Sequence, residues 1–180
     1  MVVGLALAAA IGAAAPQPAG ADLGDSLAGH WTIDRAASGD VRRAIDTVTA
    51  RMNFFIRPIA RSRLRSANEV HEHLTITISP TEVATQVDRH PPIMSPVDGT
   101  PVTWTRENGD VFRLHTVLTG ERLVQTFVGK DASSRQNVFV PSSDGRTLVI
   151  GVTVAHPRLP RPVTYELVYR RDPAAESATR

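Results

Sequence analysis

The densest cluster of side chains able to do chemistry is the tripeptide His71-Glu72-His73. On a β-strand, residues two apart project from the same face about 7 Å apart, so two imidazoles there are able to share a metal ion. A third ligand would come from a neighbouring strand, and the candidates are His115, Asp88 and Glu82. Alternation with the apolar residues Leu74, Ile76 and Ile78 favours a simpler interpretation, with His71 and His73 on a solvated outer face. We therefore predict no metal site, and these two histidines are the ligand candidates if one exists.

Residues 40–65 carry seven arginines against two aspartates, in a chain whose net charge is only +2. An arginine-rich amphipathic segment is suited to peripheral contact with an anionic membrane surface, where each cation contributes about 1 kcal/mol. The alternative is an ordinary solvated helix face. Nucleic acid is not an expected partner, because no aromatic residues of the kind that stack on bases are interleaved with these arginines.

Two adjacent aromatic residues, Phe54 and Phe55, lie in the same segment. Consecutive residues of a helix point about 100° apart, so a single buried stripe has room for only one of them. We expect one ring to pack in the core and the other to face a hydrophobic ligand.

The sequence offers little to an acid–base or nucleophilic enzyme. It contains no G-x-S-x-G elbow, P-loop or dinucleotide fingerprint, and it has no cysteine to act as a nucleophile or thiolate ligand. Its carboxylates are scattered along the chain. Neither a catalytic residue nor a cofactor is predicted.

The elements that must position these residues follow from the hydrophobic pattern. Residues 29–34 form a first strand, and apolar residues then recur at helical spacing through Val41, Ile45, Val48, Met52, Phe55 and Ile59. Pro58 must break this helix near Ile56-Arg57, which gives a helical lid over about 39–66. Strands separated by good turns follow at 70–78, 82–88, 101–106, 111–119, 122–129, 135–141, 147–155 and 162–170.

Short, sequential connections between eight to ten strands predict a mainly β fold: a closed or nearly closed antiparallel up-and-down barrel with the helical lid after its first strand. The barrel domain spans 22–171, and 172–180 form a disordered tail. The uncharged apolar run at 2–15, followed by Ala19-Gly20-Ala21, is typical of a signal peptide cleaved near Ala21. Export to the periplasm or secretion is therefore expected.

The order of one strand, a helix pair and a long antiparallel meander resembles that of the fatty-acid-binding proteins, and Gly29-x-Trp31 resembles the G-x-W of the lipocalins. Both families are calycins, the ligand-holding β-barrels. The lipocalin resemblance implies that Trp31 plugs one barrel end beneath an arginine of the last strand, either Arg170 or Arg171. A broader resemblance is to small exported bacterial proteins that share G-x-W-x-x-D-x-x-x-S and a late S-x-D-G-x-T-L hairpin, and it implies a fold without an activity.

The leading hypothesis is an exported calycin-like barrel that binds a small hydrophobic or amphipathic molecule. An inward arginine, Arg113 or Arg122, would hold an anionic head group, and Tyr165 or Tyr169 would donate a hydrogen bond to it. Two alternatives stay open. One is a structural or interaction protein whose barrel is filled by its own side chains, and the other is a barrel enzyme or metal protein that uses His71 and His73.

Overall fold

The computed structural model describes residues 19–173. Its helices are α1 (Ala19–Leu27), α2 (Val41–Thr49) and α3 (Arg57–Ala67). Its strands are β1 (Gly29–Ile33), β2 (His73–Ile78), β3 (Glu82–Val87), β4 (Ile93–Pro96), β5 (Val102–Thr105), β6 (Val111–Leu118), β7 (Leu123–Gly129), β8 (Ser134–Pro141), β9 (Thr147–Ala155) and β10 (Val163–Arg171). Most of the predicted signal peptide and of the predicted tail lies outside the described residues.

The ten strands form one antiparallel sheet in the order β4-β3-β2-β1-β10-β9-β8-β7-β6-β5. The sheet curls until β4 and the chain after it meet β6. There the Ser95 hydroxyl donates to Thr116 Oγ1 at 2.6 Å, and the Leu118 N–H donates to the Val97 carbonyl at 3.1 Å. The prediction of a nearly closed up-and-down barrel with short helices after the first strand is confirmed.

The hydrophobic pattern does not predict strand β4. The segment that contains β4 reads His-Pro-Pro-Ile-Met-Ser-Pro, and its prolines argue against a strand. Because β4 is the edge of the sheet, it needs ladder hydrogen bonds on one side only, and an edge strand tolerates proline.

Helix α2 follows the predicted stripe, with Val41, Ile45 and Val48 buried, and the Asp40 carboxylate caps it by accepting from the Arg43 N–H at 2.9 Å. The break differs from the prediction. Residues 50–56 form the bend, and Pro58 stands in the first turn of α3, where its missing N–H leaves no helical bond unmade. The stripe therefore ends at Met52, and Ile59 is 57% exposed.

The two ends of the barrel interior are covered by different helices. At the closed end, formed by Trp31, Arg171 and helix α1, the buried residues Leu23 and Leu27 of α1 join the core. The lid end is formed by α2, α3 and the residues after α3, and the end of α3 is hydrogen-bonded to Arg135 and Tyr165 of the barrel.

The predicted cleavage position near Ala21 falls inside α1. Within residues 19–173, no helix is long and apolar enough to cross a membrane.

Candidate ligand site

The closed end is built around Trp31, whose side chain is 1% exposed and whose indole N–H donates to the Leu27 carbonyl at 3.0 Å. The Arg171 guanidinium lies over this ring, with its carbon 4.4 Å from the ring centroid. Arg171 also donates to three backbone carbonyls, those of Gly145 (2.6 Å), Ala28 (2.8 Å) and Ser26 (2.6 Å). The guanidinium thus ties the α1 terminus and the β8–β9 turn to the end of β10.

The neighbouring Arg170 has a different place. It points outward, where its Nε donates to the Asp34 carboxylate at 2.7 Å with the Arg170 side chain 65% exposed. The Ala37 backbone N–H and the Arg170 side chain hold the pKa of Asp34 below its usual value. Of the two candidate plug arginines, Arg171 is the one the structure brings to Trp31.

The lid end holds an inward-facing cation, Arg135 at the top of β8. It stands opposite Phe127 of β7, which is 5% exposed and faces the interior. Arg135 is half-buried, and its hydrogen bonds go to neutral oxygens: Asn137 Oδ1 (2.9 Å), Asn68 Oδ1 (3.2 Å) and the Ala67 carbonyl (3.3 Å). Among residues 19–173 it forms no ion pair with a carboxylate, so its charge faces the interior uncompensated.

Asn68, the residue that ends α3, organises the polar groups beneath the lid. It is 4% exposed, and its Oδ1 accepts from Arg135 and from the Tyr165 hydroxyl at 2.9 Å, while its Nδ2 donates to the Leu64 carbonyl at 2.8 Å. The Arg106 guanidinium reaches the Ala67 carbonyl at 3.3 Å. Two arginines and a tyrosine therefore hold the end of α3 over the barrel.

Both predicted tyrosines face inward and are buried. Burial raises the pKa of Tyr165, and burial together with the negative charge of Asp88 raises the pKa of Tyr169 to about 12. Their hydroxyls are therefore protonated donors at neutral pH, with Tyr169 donating to the His71 carbonyl at 3.1 Å.

Beside Arg135 the interior wall is aromatic. The Trp104 ring lies 5.7 Å from Phe112 and 5.3 Å from Phe127, measured between ring centroids. Trp104 and Phe112 are only half-buried, although both belong to inward-facing positions of their strands. An apolar surface that is partly open next to an unpaired cation has the chemistry of a site for an amphipathic molecule with an anionic end.

The inward orientation predicted for Arg113 and Arg122 is wrong. Arg113 alternates with the fully buried Leu114 and is exposed on the outer wall, whereas Arg122 precedes β7 and is exposed in the β6–β7 turn. A shift of one residue in the assumed face moves a side chain from one side of a sheet to the other. Arg135 is the inward arginine instead. The sequence did contain a signal for it, because Arg135 lies two and four residues before Asn137 and the buried Phe139.

The core position expected for one of the two lid phenylalanines is also wrong. Phe54 is 74% and Phe55 81% exposed, and the rings stack edge to face at 5.8 Å in the bend between α2 and α3. The continuous helix assumed for this segment ends before them, so the stripe no longer directs either ring inward.

The histidines do not form the arrangement that a metal needs. His73 is exposed on β2, and the Nδ1 atom of His71 is hydrogen-bonded to Asp88 Oδ2 at 2.9 Å. The other ligand candidates, His115 on β6 and Glu82 at the start of β3, are not brought to this pair. Within residues 19–173 no three histidine, aspartate or glutamate side chains are grouped so as to hold a metal ion.

Comparison with known proteins identifies the fold and no closer relationship. No protein-family model matches the chain, and neither does any curated protein. Among solved structures, fatty-acid-binding protein 1 of Echinococcus granulosus has a TM-score of 0.54 at 11% identity, covering 82% of this chain and 98% of that chain. A brain fatty-acid-binding protein of Drosophila melanogaster has a TM-score of 0.53 at 14% identity, covering 80% and 98%.

A third neighbour, the Schistosoma mansoni fatty-acid-binding protein, was solved in complex with arachidonic acid. Its TM-score is 0.51 at 16% identity, covering 83% of this chain and 98% of that chain. The chain therefore has the β-barrel fold of the fatty-acid-binding proteins, as its order of elements implied.

Proposed function

We propose that the protein binds a small amphipathic molecule through the lid end of the barrel, with an anionic head group at Arg135 and an apolar tail along Trp104, Phe112 and Phe127. The observation that carries the proposal is the inward, half-buried Arg135, which has only neutral oxygens as partners within residues 19–173. A cation in such surroundings gains more from a carboxylate than from an amide or carbonyl oxygen. The fold neighbours that bind fatty acids support the same ligand class.

Two of the oxygens that accept hydrogen bonds from Arg135, the Ala67 carbonyl and Asn68 Oδ1, belong to the end of α3. A bound head group replaces these acceptors, and the Tyr165 hydroxyl is placed to donate to it as well. Binding is therefore coupled to release of the α3 terminus from the barrel.

The test uses palmitate and hexadecanol, which share a sixteen-carbon tail and differ in charge, with tryptophan fluorescence as the reporter, because Trp104 lines the proposed site. Arg135→Gln should weaken palmitate binding about tenfold or more, because hydrogen bonds to charged groups contribute about 1.5–3 kcal/mol. Hexadecanol binding should change little. Arg113→Gln, an equal loss of charge on the outer wall, is the matched control and should leave both affinities unchanged.

Equal palmitate affinity for wild type and Arg135→Gln would refute the head-group site. If neither probe binds, the alternative of a barrel filled by its own side chains replaces the ligand-binding proposal.

A second proposal concerns the bend between the lid helices. We infer that it docks on an anionic membrane surface, since Phe54, Phe55, Ile56 and Ile59 are 50–81% exposed in an arginine-rich segment. The double variant Phe54→Ser/Phe55→Ser should lose most binding to phosphatidylglycerol vesicles in a sedimentation assay. Met94→Ser, which removes an apolar residue of β4 that is 54% exposed, is the control. Unchanged sedimentation of the double variant would exclude docking through this bend.

Export is proposed on the amino-terminal sequence alone. The apolar run and Ala19-Gly20-Ala21 predict that the protein purified from its host begins near Asp22. An amino terminus at Met1 together with cytosolic fractionation would contradict this proposal.

A further inference from the structure

Three arginines form a ladder along one face of α3. Arg57, Arg61 and Arg65 are spaced four residues apart, so their side chains follow one another along the helix. Together with Pro58 and Ser62 they line a concavity of about 300 Å³. The concavity lies next to the bend that carries Phe54 and Phe55.

The ladder is only partly neutralised. The Asp46 carboxylate of α2 pairs with two of the arginines, 2.9 Å from Arg61 Nε and 2.9 Å from Arg65 Nη2. Arg57 donates instead to a neutral group, the Met52 carbonyl, at 3.0 Å. Among the described residues, a single carboxylate therefore stands against three guanidinium groups, and the concavity keeps an excess of positive charge.

One donor of the ladder lacks an acceptor. The Nε atom of Arg57 is buried from solvent and makes no hydrogen bond within residues 19–173, whereas the Nε atom of Arg61 has its ion-pair partner in Asp46, 2.9 Å away. The first turn of α3 contains no acidic residue, so no carboxylate of its own neutralises the positive end of the helix dipole. A buried N–H without an acceptor and an excess of positive charge both favour a ligand that supplies several negatively charged oxygens.

We propose that this concavity is a phosphate-binding site, and that its ligand is the phosphomonoester head group of an acidic phospholipid such as phosphatidic acid. Phosphate fits better than carboxylate because it presents oxygens in several directions to donors that converge from separate turns of one helix. The exposed rings of Phe54 and Phe55 beside the site indicate that the phosphate belongs to a lipid surface. The source of the phosphate therefore rests on the membrane docking proposed above, while the site itself rests on the ladder.

The experiment compares vesicles of phosphatidic acid with vesicles of phosphatidylglycerol at matched surface charge. Wild type should bind phosphatidic acid more tightly. Arg57→Gln should weaken this binding about tenfold or more and abolish the preference, since it removes both a positive charge and the guanidinium group that donates hydrogen bonds to the phosphate.

Arg63→Gln is the matched control, because Arg63 is exposed, belongs to α3 and points to another face of it. Loss of its charge should weaken binding to both vesicles by about fivefold or less and leave the preference intact. Phe54→Ser/Phe55→Ser should weaken both bindings alike. Unfolding midpoints of all variants establish that they are folded.

The outcomes separate the two proposals. Binding to both vesicles without preference, with Arg57→Gln equal to Arg63→Gln, overturns the phosphate site and leaves membrane docking standing. If the protein binds no vesicle but binds inorganic phosphate in a calorimetric titration that Arg57→Gln abolishes, the lipid source is refuted. Absence of binding to vesicles and to inorganic phosphate overturns the site altogether.

Discussion

The closed end and the lid end of the same barrel are held by different kinds of contact. At the closed end, Trp31 is 1% exposed, and Arg171 donates to three backbone carbonyls, those of Ser26 and Ala28 at the end of α1 and that of Gly145 in the β8–β9 turn. At the lid end, the half-buried Arg135 is satisfied by an amide oxygen and a carbonyl at the end of α3. The first set of contacts is fixed by close packing, whereas the second consists of acceptors that a ligand is able to replace.

This difference indicates which end of the barrel interior opens more readily to solvent. Opening the closed end would expose a buried indole and leave a guanidinium without its carbonyls, which costs several kcal/mol. Moving the end of α3 exposes mainly polar groups that water can satisfy. Trp31 lies at the closed end and Trp104 at the lid end, so replacing either one by phenylalanine leaves a fluorescence reporter for the other end.

The largest expected effect is that of Trp31→Ala. Removal of a fully buried indole should lower the free energy of unfolding by about 3–5 kcal/mol, from the lost burial and the cavity left behind. Trp104→Ala removes a half-buried ring and should cost clearly less. Urea denaturation followed by circular dichroism measures both, with Trp31→Phe as a milder variant if Trp31→Ala fails to fold. Equal losses at the two positions would contradict the contrast between the ends.

The next effect compares two adjacent arginines. Arg171→Ala should destabilise by about 2–4 kcal/mol, because hydrogen bonds to three partly buried carbonyls and the ring contact are lost. Arg170→Ala removes one exposed ion pair and should cost about 1 kcal/mol or less. The ranking is checked by the same denaturation experiment, and a larger loss for Arg170→Ala would reverse our assignment of the plug.

At the lid end, Asn68→Ala should destabilise by about 1–3 kcal/mol, since the Tyr165 hydroxyl and Arg135 lose a shared buried acceptor. Tyr165→Phe removes one donor and leaves Asn68 bonded to Arg135, so its cost should be smaller. The same coupling predicts that saturating palmitate reduces the difference between Asn68→Ala and wild type. A constant difference would show that ligand and Asn68 do not compete for Arg135.

The smallest effect is the pH dependence of the stability that comes from the contact between His90 and Glu107. His90, after β3, donates from Nδ1 to Glu107 Oε1 at 2.8 Å, and Glu107, with Asp88 and Glu69 nearby, raises the pKa of His90 above 6.5. A raised folded-state pKa gives stabilisation that is complete below the ordinary pKa and is lost as pH rises through the raised one. His90→Gln and Glu107→Gln should therefore lower the unfolding midpoint at about pH 5.5 and have no effect at about pH 8.5. A difference that grows with pH would contradict the sign.

Secondary-structure elements are predicted well where the hydrophobic pattern is long and periodic. In β9, the residues Leu148, Ile150 and Val152 are 0–6% exposed, as their alternation indicates. Helix α1 was missed because its two buried leucines, Leu23 and Leu27, span a single turn and show no periodicity. The bend after α2 was misplaced because spacing alone continued the stripe through Phe55 and Ile59.

The candidate site was less predictable than the fold. Tyr165 and Tyr169 share their face with Leu167 on a strand whose alternation is clear, and both are buried. The prediction gives the wrong face for Arg113 and Arg122 and does not include Arg135, which faces the interior. Asn68 carried no local signal, because its importance comes from Arg135 and Tyr165, which are far away in the sequence.

The sequence by itself determined the order of the lid helices and of every strand except β4, since side-chain periodicity and turn residues act within a few positions of each other. Only the tertiary structure decided which arginine lies over Trp31, which one faces the interior, and what holds the end of α3. These choices depend on strand register between distant segments, and a register shift of one residue exchanges the two faces of a strand. The chemistry of the barrel interior therefore follows from the pairing of β7 with β8 and of β1 with β10.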